Sequence, residues 1–327
     1  MSAIDALSQA DAGDVVLAPP HVRGARYRQL IQATRGLAPL TMAIVHPCDA
    51  LSLTGALEAA RENLIRPILV GPLEKMQRAA QDANLCLDGV EMLDAPHSHA
   101  SAEQAVALVR AGKANALMKG ALHSDEVLAA MMDRQAGLRT ERRMSHVFAF
   151  DVPTYPKPLF ITDAAINIAP DLMQKRDIVQ NAIDLVHTLG MALPKVAILS
   201  ALETVTPKIA STVDAACLCK MLDRGQITGA ILDGPLAFDN AISHGAAQTK
   251  SISSAVAGEA DILVVPDLVS GNMLAKQLIY LAGAEAAGLV LGARVPVVLT
   301  SRSDDVLARL ASCALALLFS QRENAPA

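Results

Sequence analysis

The chain predicts an α/β sandwich with mostly parallel sheets, from three observations. Short β-branched runs alternate with amphipathic segments along most of its length, as strand–helix units require. The strand-like runs are apolar at successive positions, as expected of strands covered on both faces. Helix-capping and turn residues separate the two kinds of segment.

Strand candidates are Met42–Val45, Pro67–Val70, Ala116–Met118, Val147–Phe150, Leu159–Ile161, Val196–Leu199, Ala230–Leu232, Ile262–Val265 and Val297–Leu299. Between them, Ser101 and Gln104 fit a capping box, with Gly112 closing that helix. Thr206 before Pro207 fits an N-cap and first-turn proline, with Gly225 at the far end. Ile178, Ala182, Ile183, Val186 and Leu189 make one apolar face, stopped by Gly190. The first stretch, to about residue 35, fits no strong period, and the last few residues read as frayed.

Length and composition narrow the classes. The chain has 327 residues, 52% of them hydrophobic, so two domains with a substantial core are possible. No uninterrupted apolar run reaches the roughly 18 residues that suggest a membrane span. Met1-Ser2-Ala3-Ile4-Asp5 lacks the basic and apolar segments of a signal peptide, so a cytoplasmic location is expected. A net charge of −5 and 2% aromatic residues argue against nucleic acid as a partner. Any anionic ligand must be held by local cations. Cys48, Cys86, Cys217, Cys219 and Cys313 read as reduced thiols in helices and core. Cys217 and Cys219 point to different helix faces, and Asp94, His97 and His99 lack a closed ligand set, so no metal is expected.

The segment Arg294–Asp305 is the richest in chemistry. A short apolar run behind Pro296 breaks into Thr300, Ser301, Arg302, Ser303, Asp304 and Asp305, and Val306, Leu310 and Cys313 continue as a helix. In open parallel sheets, turns at the carboxyl ends of strands are where ligands sit. A hydroxyl, a guanidinium and carboxylates there suit phosphate binding and proton transfer, and helix capping is the competing reading of the same residues. Lys119-Gly120 also ends a strand before a helix starting near Ser124 or Asp125. There glycine permits close backbone approach and helix amides attract phosphate.

Three further segments stand in register with this one. They are Asp233-Gly234-Pro235 through Asp239-Asn240-Ala241; Gly258-Glu259-Ala260-Asp261 through Gly271-Asn272 to Lys276; and Arg142-Arg143-Met144-Ser145-His146 with Ile161-Thr162-Asp163 and Asn167. With Leu299-Thr300-Ser301-Arg302, they resemble the phosphate acetyltransferase and phosphate butyryltransferase family from about Ala43 to Phe319. The likeness is greatest to the acetyltransferase-like half of enoyl-CoA hydratase fusions.

The resemblance implies a two-lobed, isocitrate/isopropylmalate dehydrogenase-like fold with a cleft between the lobes. It implies a discontinuous first domain, residues 1–144 with 300–327, and a second at 145–299. It implies acyl transfer between coenzyme A and inorganic phosphate, with phosphate acetyltransferase expected first and phosphate butyryltransferase as the alternative. No cofactor is expected, because the coenzyme A thioester is a substrate. A homodimer or higher homo-oligomer is expected, with no nucleic acid or membrane partner.

By resemblance, Arg302 holds phosphate and Ser301 donates to the oxyanion. The acetyl branch carries an aspartate deeper in the following helix, but an ungapped match puts Ala308 there. Asp304 is chosen as the base, with Asp305 or another group as alternatives. The branch's arginine near Leu128 is also missing; Arg139, Arg142 or Arg143 could replace its charge from the facing loop, the competing reading being a solvated basic patch. Lys119, Gly120, Arg142, Ser145, Asn167, Asp239, Asn272 and Lys276 complete the expected substrate-binding set. A dehydrogenase or decarboxylase is disfavoured, because no G-x-G-x-x-G follows the first strand and no metal-binding carboxylate cluster is evident. A non-catalytic acyl-CoA-sensing module is the reading from a different class.

Overall fold

The computed structural model describes residues 22, 24–299 and 305–323. Along the chain lie α1 (Ala25–Ala33), β1 (Leu40–Val45), α2 (Ala50–Arg61), β2 (Ile65–Gly71), α3 (Leu73–Asp82), β3 (Glu91–Asp94), α4 (Ser98–Arg110), β4 (Ala116–Lys119) and α5 (Ser124–Met132). Then come β5 (Ser145–Asp151), β6 (Leu159–Thr162), α6 (Leu172–Thr188), β7 (Lys195–Leu199), α7 (Ala210–Asp223), β8 (Ile231–Leu236), α8 (Phe238–Ile242), α9 (His244–Thr249), β9 (Ile262–Val264), α10 (Leu268–Leu281), β10 (Glu285–Leu291), β11 (Val297–Val298) and α11 (Val306–Glu323).

The strands form one sheet in the order β3-β2-β1-β4-β11-β10-β5-β6-β9-β7-β8. Its outer portions are parallel, as continuous apolar runs require. Antiparallel pairing is confined to the middle, where β10 meets β11 and β5, and β5 meets β6. Strand β11 lies within the expected second domain, 145–299, yet pairs in parallel with β4 of the expected first.

Alternation along the strands sends side chains into helical layers on both faces. In β1, Met42 and Ile44 join a core with Leu53 of α2, Ile183 of α6 and Leu315 of α11. Ala43 and Val45 join the opposite core with Val106 of α4 and Val127 of α5. In β6, Phe160 joins the first core, while Ile161 packs with Leu263 and with Ala275 of α10. Helix α11 packs on α1, α2 and β10, spanning the middle of the sheet.

Several local expectations need correction. Ser101 lies inside α4 rather than at its start: His97 is the N-cap, accepting from the Ala100 amide at 3.1 Å. Helix α7 begins after Ile209, so Thr206 precedes the cap. There the Thr206 amide donates to Thr212 Oγ1 (2.9 Å). A helix, α1, occupies part of the opening stretch that shows no period. Strands β3 and β10 were not foreseen. Strand β10 reads as weak because it is small-residue-rich with Gly288 in its middle. That glycine is required by close approach: a Cβ there would sit 2.6 Å from His146 Cε1 and 2.8 Å from the Val147 carbonyl oxygen.

Candidate active site

Three adjacent strands finish side by side at one edge. Val45 of β1 stands opposite Lys119 of β4, and Met118 of β4 opposite Val298 of β11. Beyond β11 the chain enters Thr300–Asp304, which contains Ser301, Arg302 and Asp304. These three residues lie outside the described residues.

Gly120 donates from its amide to the Val45 carbonyl (2.9 Å), and Ala121 donates likewise to the His46 carbonyl (2.9 Å). A Cβ on Gly120 would meet those two oxygens at 2.5 and 2.8 Å, so glycine is dictated by sterics here. Lys119 is buried, and its ammonium donates to the Leu122 carbonyl at 3.1 Å and the Gly120 carbonyl at 3.3 Å, bracing the turn into α5. His46 takes a left-handed backbone conformation (φ 52°) and is 8% exposed. Its Nδ1 lies 3.2 Å from Ser101 Oγ, and Ser101 Oγ donates to the His97 carbonyl at 2.8 Å. Burial, then the nearby Lys75, hold the His46 imidazole below its ordinary pKa.

At the start of α11, Asp305 Oδ1 accepts from the Ala308 amide at 2.8 Å. Asp305 is therefore engaged in helix capping. Ala308, where the acetyl branch has its aspartate, is 9% exposed and carries no proton-transfer group. Its neighbour Arg309 is buried, with its side chain so close over Gly55 of α2 that a Cβ there would lie 2.7 Å from Arg309 Cδ. Sequence reasoning missed both His46 and Arg309. A lone arginine in the apolar run Val306–Ala311 was the available signal for Arg309, whereas nothing local marks His46.

The remaining expected residues gather elsewhere. Since β10 runs antiparallel to both β11 and β5, β5 and β11 share a direction. Lys119 and Gly120 stand where that direction finishes, and Arg142 and Ser145 where it starts. Ser145 is buried, its Oγ accepting from Asn181 Nδ2 of α6 at 2.8 Å. Arg142 pairs with Asp184 and lies 3.4 Å from Asn181 Oδ1. Asn167 donates to the Met144 carbonyl (2.8 Å) and Asp163 (2.5 Å), and accepts from Arg143 Nε at 2.6 Å. Burial pushes the Asp163 carboxyl up, against hydrogen bonds that favour its charged form. This network ties the arginine-rich loop to β6 and α6, beside a cavity of about 450 Å³ lined by Arg139, Arg142, Arg143 and Arg176.

Asn272 donates to the Ala164 carbonyl at 3.3 Å on the same side of the protein, while Lys276, one turn further along α10, is exposed. Asp239 lies in α8, 3.4 Å from the Lys250 ammonium. The histidines and aspartate of the 94–99 segment have separate partners. Asp94 accepts from the Leu73 amide, His97 caps α4, and His99 pairs with Glu126. Burial raises the thiols of Cys48 and Cys219 to about 11 and that of Cys313 to about 12, so all three are protonated near neutrality.

Comparison with known proteins makes this α/β chain an acyltransferase and specifies its family. Residues 98–317 match the family described as Phosphate acetyl/butaryl transferase. A phosphate acetyltransferase of Rhizobium meliloti is 60% identical over 300 residues, covering 92% of this chain and 95% of the relative. A probable phosphate butyryltransferase of Bacillus subtilis is 43% identical, covering 86% of this chain and 93% of the relative. Among solved structures, a branched-chain phosphotransacylase from Enterococcus faecalis superposes with a TM-score of 0.75 at 31% identity, over 86% of this chain and 99% of that one. The chain belongs to the phosphate acetyl/butyryl transferase family.

Proposed function

We propose that this protein is a phosphate acyltransferase that exchanges an acetyl group between coenzyme A and inorganic phosphate. The observation that carries the reading is 55–60% identity, over about nine-tenths of the chain, to two phosphate acetyltransferases, against 38–43% to two butyryl relatives. In the proposed reaction a phosphate oxygen attacks the thioester carbonyl carbon, the carbon–sulfur bond breaks, and the thiolate regains a proton. Arg302 would hold phosphate through its planar fork, and Ser301 would donate to the oxyanion. Asp304 is the carboxylate proposed to handle the proton.

Lys119 and Gly120 would shape the floor beneath these residues. Their fixed backbone contacts support a positioning role. Arg142, Ser145, Asn167, Asp239, Asn272 and Lys276 remain proposed substrate-side residues. For Ser145 and Asn167, burial within the protein's own hydrogen-bond network favours holding the loop over touching substrate directly. The two-domain division, 1–144 with 300–327 and 145–299, is proposed with them. Neither cofactor nor metal enters the proposed chemistry, and a cytoplasmic setting is proposed.

A homo-oligomer is also proposed. Val269, Met273 and Tyr280 are exposed along one side of α10, a spacing suited to a helix face covered by another subunit.

The functional test is phosphate-dependent thiol release from acetyl-, propionyl- and butyryl-CoA. The expected result is turnover of all three, with acetyl-CoA highest in kcat/KM. A butyryl-CoA preference would move the assignment to the other branch. Tight acetyl-CoA binding without turnover would support the sensing module instead.

A further inference from the structure

We infer that His46 is a general base for the coenzyme A thiol, acting through its Nε2 when acetyl phosphate and coenzyme A react. This inference rests on the acyltransferase reading above but moves the thiol proton from Asp304 to a residue outside the Ser301–Asp304 segment.

The tautomer follows from hydrogen-bond accounting. Ser101 Oγ carries one proton, which it donates to the His97 carbonyl at 2.8 Å. Toward His46 Nδ1, 3.2 Å away, that oxygen can therefore only accept. The imidazole proton then belongs on Nδ1, and Nε2 presents the basic lone pair. Nε2 has no hydrogen-bond partner among the described residues. His46 as a residue is 8% exposed, and Ser101 anchors its ring through Nδ1.

Position supports the same role. His46 is the residue after β1, with its carbonyl bonded to the Ala121 amide directly after Lys119-Gly120. It thus stands at the strand-end edge where β11 leads to Ser301 and Arg302. Four ionisable neighbours influence it: Lys75 of α3 and His97 at the start of α4 favour the neutral ring, while Glu126 of α5 and Asp49 at the start of α2 oppose them. Burial is the largest influence, and the net result is a neutral imidazole at pH 7, ready to accept a proton.

The step balances. Nε2 takes the thiol proton, the thiolate sulfur attacks the acetyl carbonyl carbon, the carbon–oxygen bond to phosphate breaks, and phosphate leaves with that electron pair. In reverse, the imidazolium returns the proton to the departing thiolate. This supplies the base that Ala308 cannot, and that Asp305 is poorly placed to be while it caps α11.

The test compares wild type, His46→Gln, Ser101→Ala and Asp304→Asn in the acetyl phosphate direction across pH 5.5–9.5. Glutamine retains hydrogen-bonding capacity but cannot accept the proton. His46→Gln should lower kcat about 10²–10⁴-fold at pH 7. It should also abolish the acid limb of the profile, recover toward alkaline pH as thiolate forms unaided, and leave KM for acetyl phosphate little changed. Ser101→Ala should fall about tenfold, the worth of one hydrogen bond, with the acid limb displaced.

Nitrogen-15 NMR of histidine-labelled wild type should show His46 protonated on Nδ1 and titrating below 6.5. That readout stands even if His46→Gln fails to fold. A wild-type His46 protonated on Nε2 overturns the proposal. So does an active wild type whose His46→Gln variant keeps the full profile while Asp304→Asn shows the alkaline-recoverable loss. A wild type without phosphate-dependent thiol release overturns the acyltransferase reading itself, and the base falls with it.

Discussion

His46 and His146 are both buried histidines, and their surroundings give them different consequences. His146 sits in β5 against Gly288 and Phe148, its ring centroid 4.2 Å from that of Phe148. Burial alone drives its pKa down to about 3. The ordinary value, near 6.5, applies in the unfolded chain. Between these two values the unfolded chain binds the extra proton, so stability must fall as pH drops from about 6.5 toward 3. The slope from one such group is at most about 1.4 kcal/mol per pH unit. Urea unfolding between pH 4 and 6 should therefore be less pH-dependent in His146→Leu than in wild type, by about one proton. Equal slopes would remove His146 as the cause. Arg302→Lys is the companion prediction at the proposed site. It keeps the charge but loses the planar fork, so kcat/KM should fall by roughly 1.5–3 kcal/mol. Wild-type kinetics and phosphate affinity in the folded variant would take Arg302 out of the site.

Elements are decided by who caps and who packs. Ser101 carries a correct capping signature, yet His97, four residues earlier, caps α4 and leaves Ser101 free to meet His46. Local signatures name residues able to cap without saying where the helix starts. Strand β10 shows the converse failure. Its alanines and Gly288 have low β-propensity, but antiparallel pairing with β5 at seven successive positions overrides this. Asp305 provides a direct test at this scale. As the cap of α11, Asp305→Ala should cost about 0.5–2 kcal/mol, whereas Asp305→Asn should be nearly silent in Tm. Thermal melts of the two variants check this. Equal losses would show that the carboxylate's charge matters more than its capping geometry.

At the scale of the whole molecule, the exposed apolar side of α10 is the feature a monomer explains least well. Val269 and Met273 are more than half exposed, and Tyr280 is 70% exposed. The double variant Met273→Glu/Tyr280→Glu should shift the protein toward monomer in analytical ultracentrifugation without lowering the stability of the isolated subunit. An unchanged sedimentation coefficient for an oligomeric wild type would place the interface elsewhere. Strand count and order belong to this scale too. The continuous apolar runs foretold parallel strands, but not their union into one sheet through the antiparallel pairs of β10, β11, β5 and β6. Nor did the spacing of Lys119, Arg142 and Ser145 reveal that β4 finishes where β5's direction ends while Arg142 and Ser145 stand at β5's start.

By itself, the sequence determined the α/β class, most strand positions and the family. Those are properties of local periodicity and of ordered residue identities, which are written directly along the chain. It also marked Lys119-Gly120 and the Ser301-Arg302 segment as following strands, because a polar break after a β-branched run is a local signal. Only the tertiary structure decided that β1, β4 and β11 finish side by side, and that Gly120 must lack a Cβ because β1's carbonyls crowd it. The same is true of His46's proton, which is set by a hydroxyl 55 positions away whose own proton is committed to His97. These outcomes depend on contacts between residues distant in the chain, and neither composition nor period encodes which distant partners will meet.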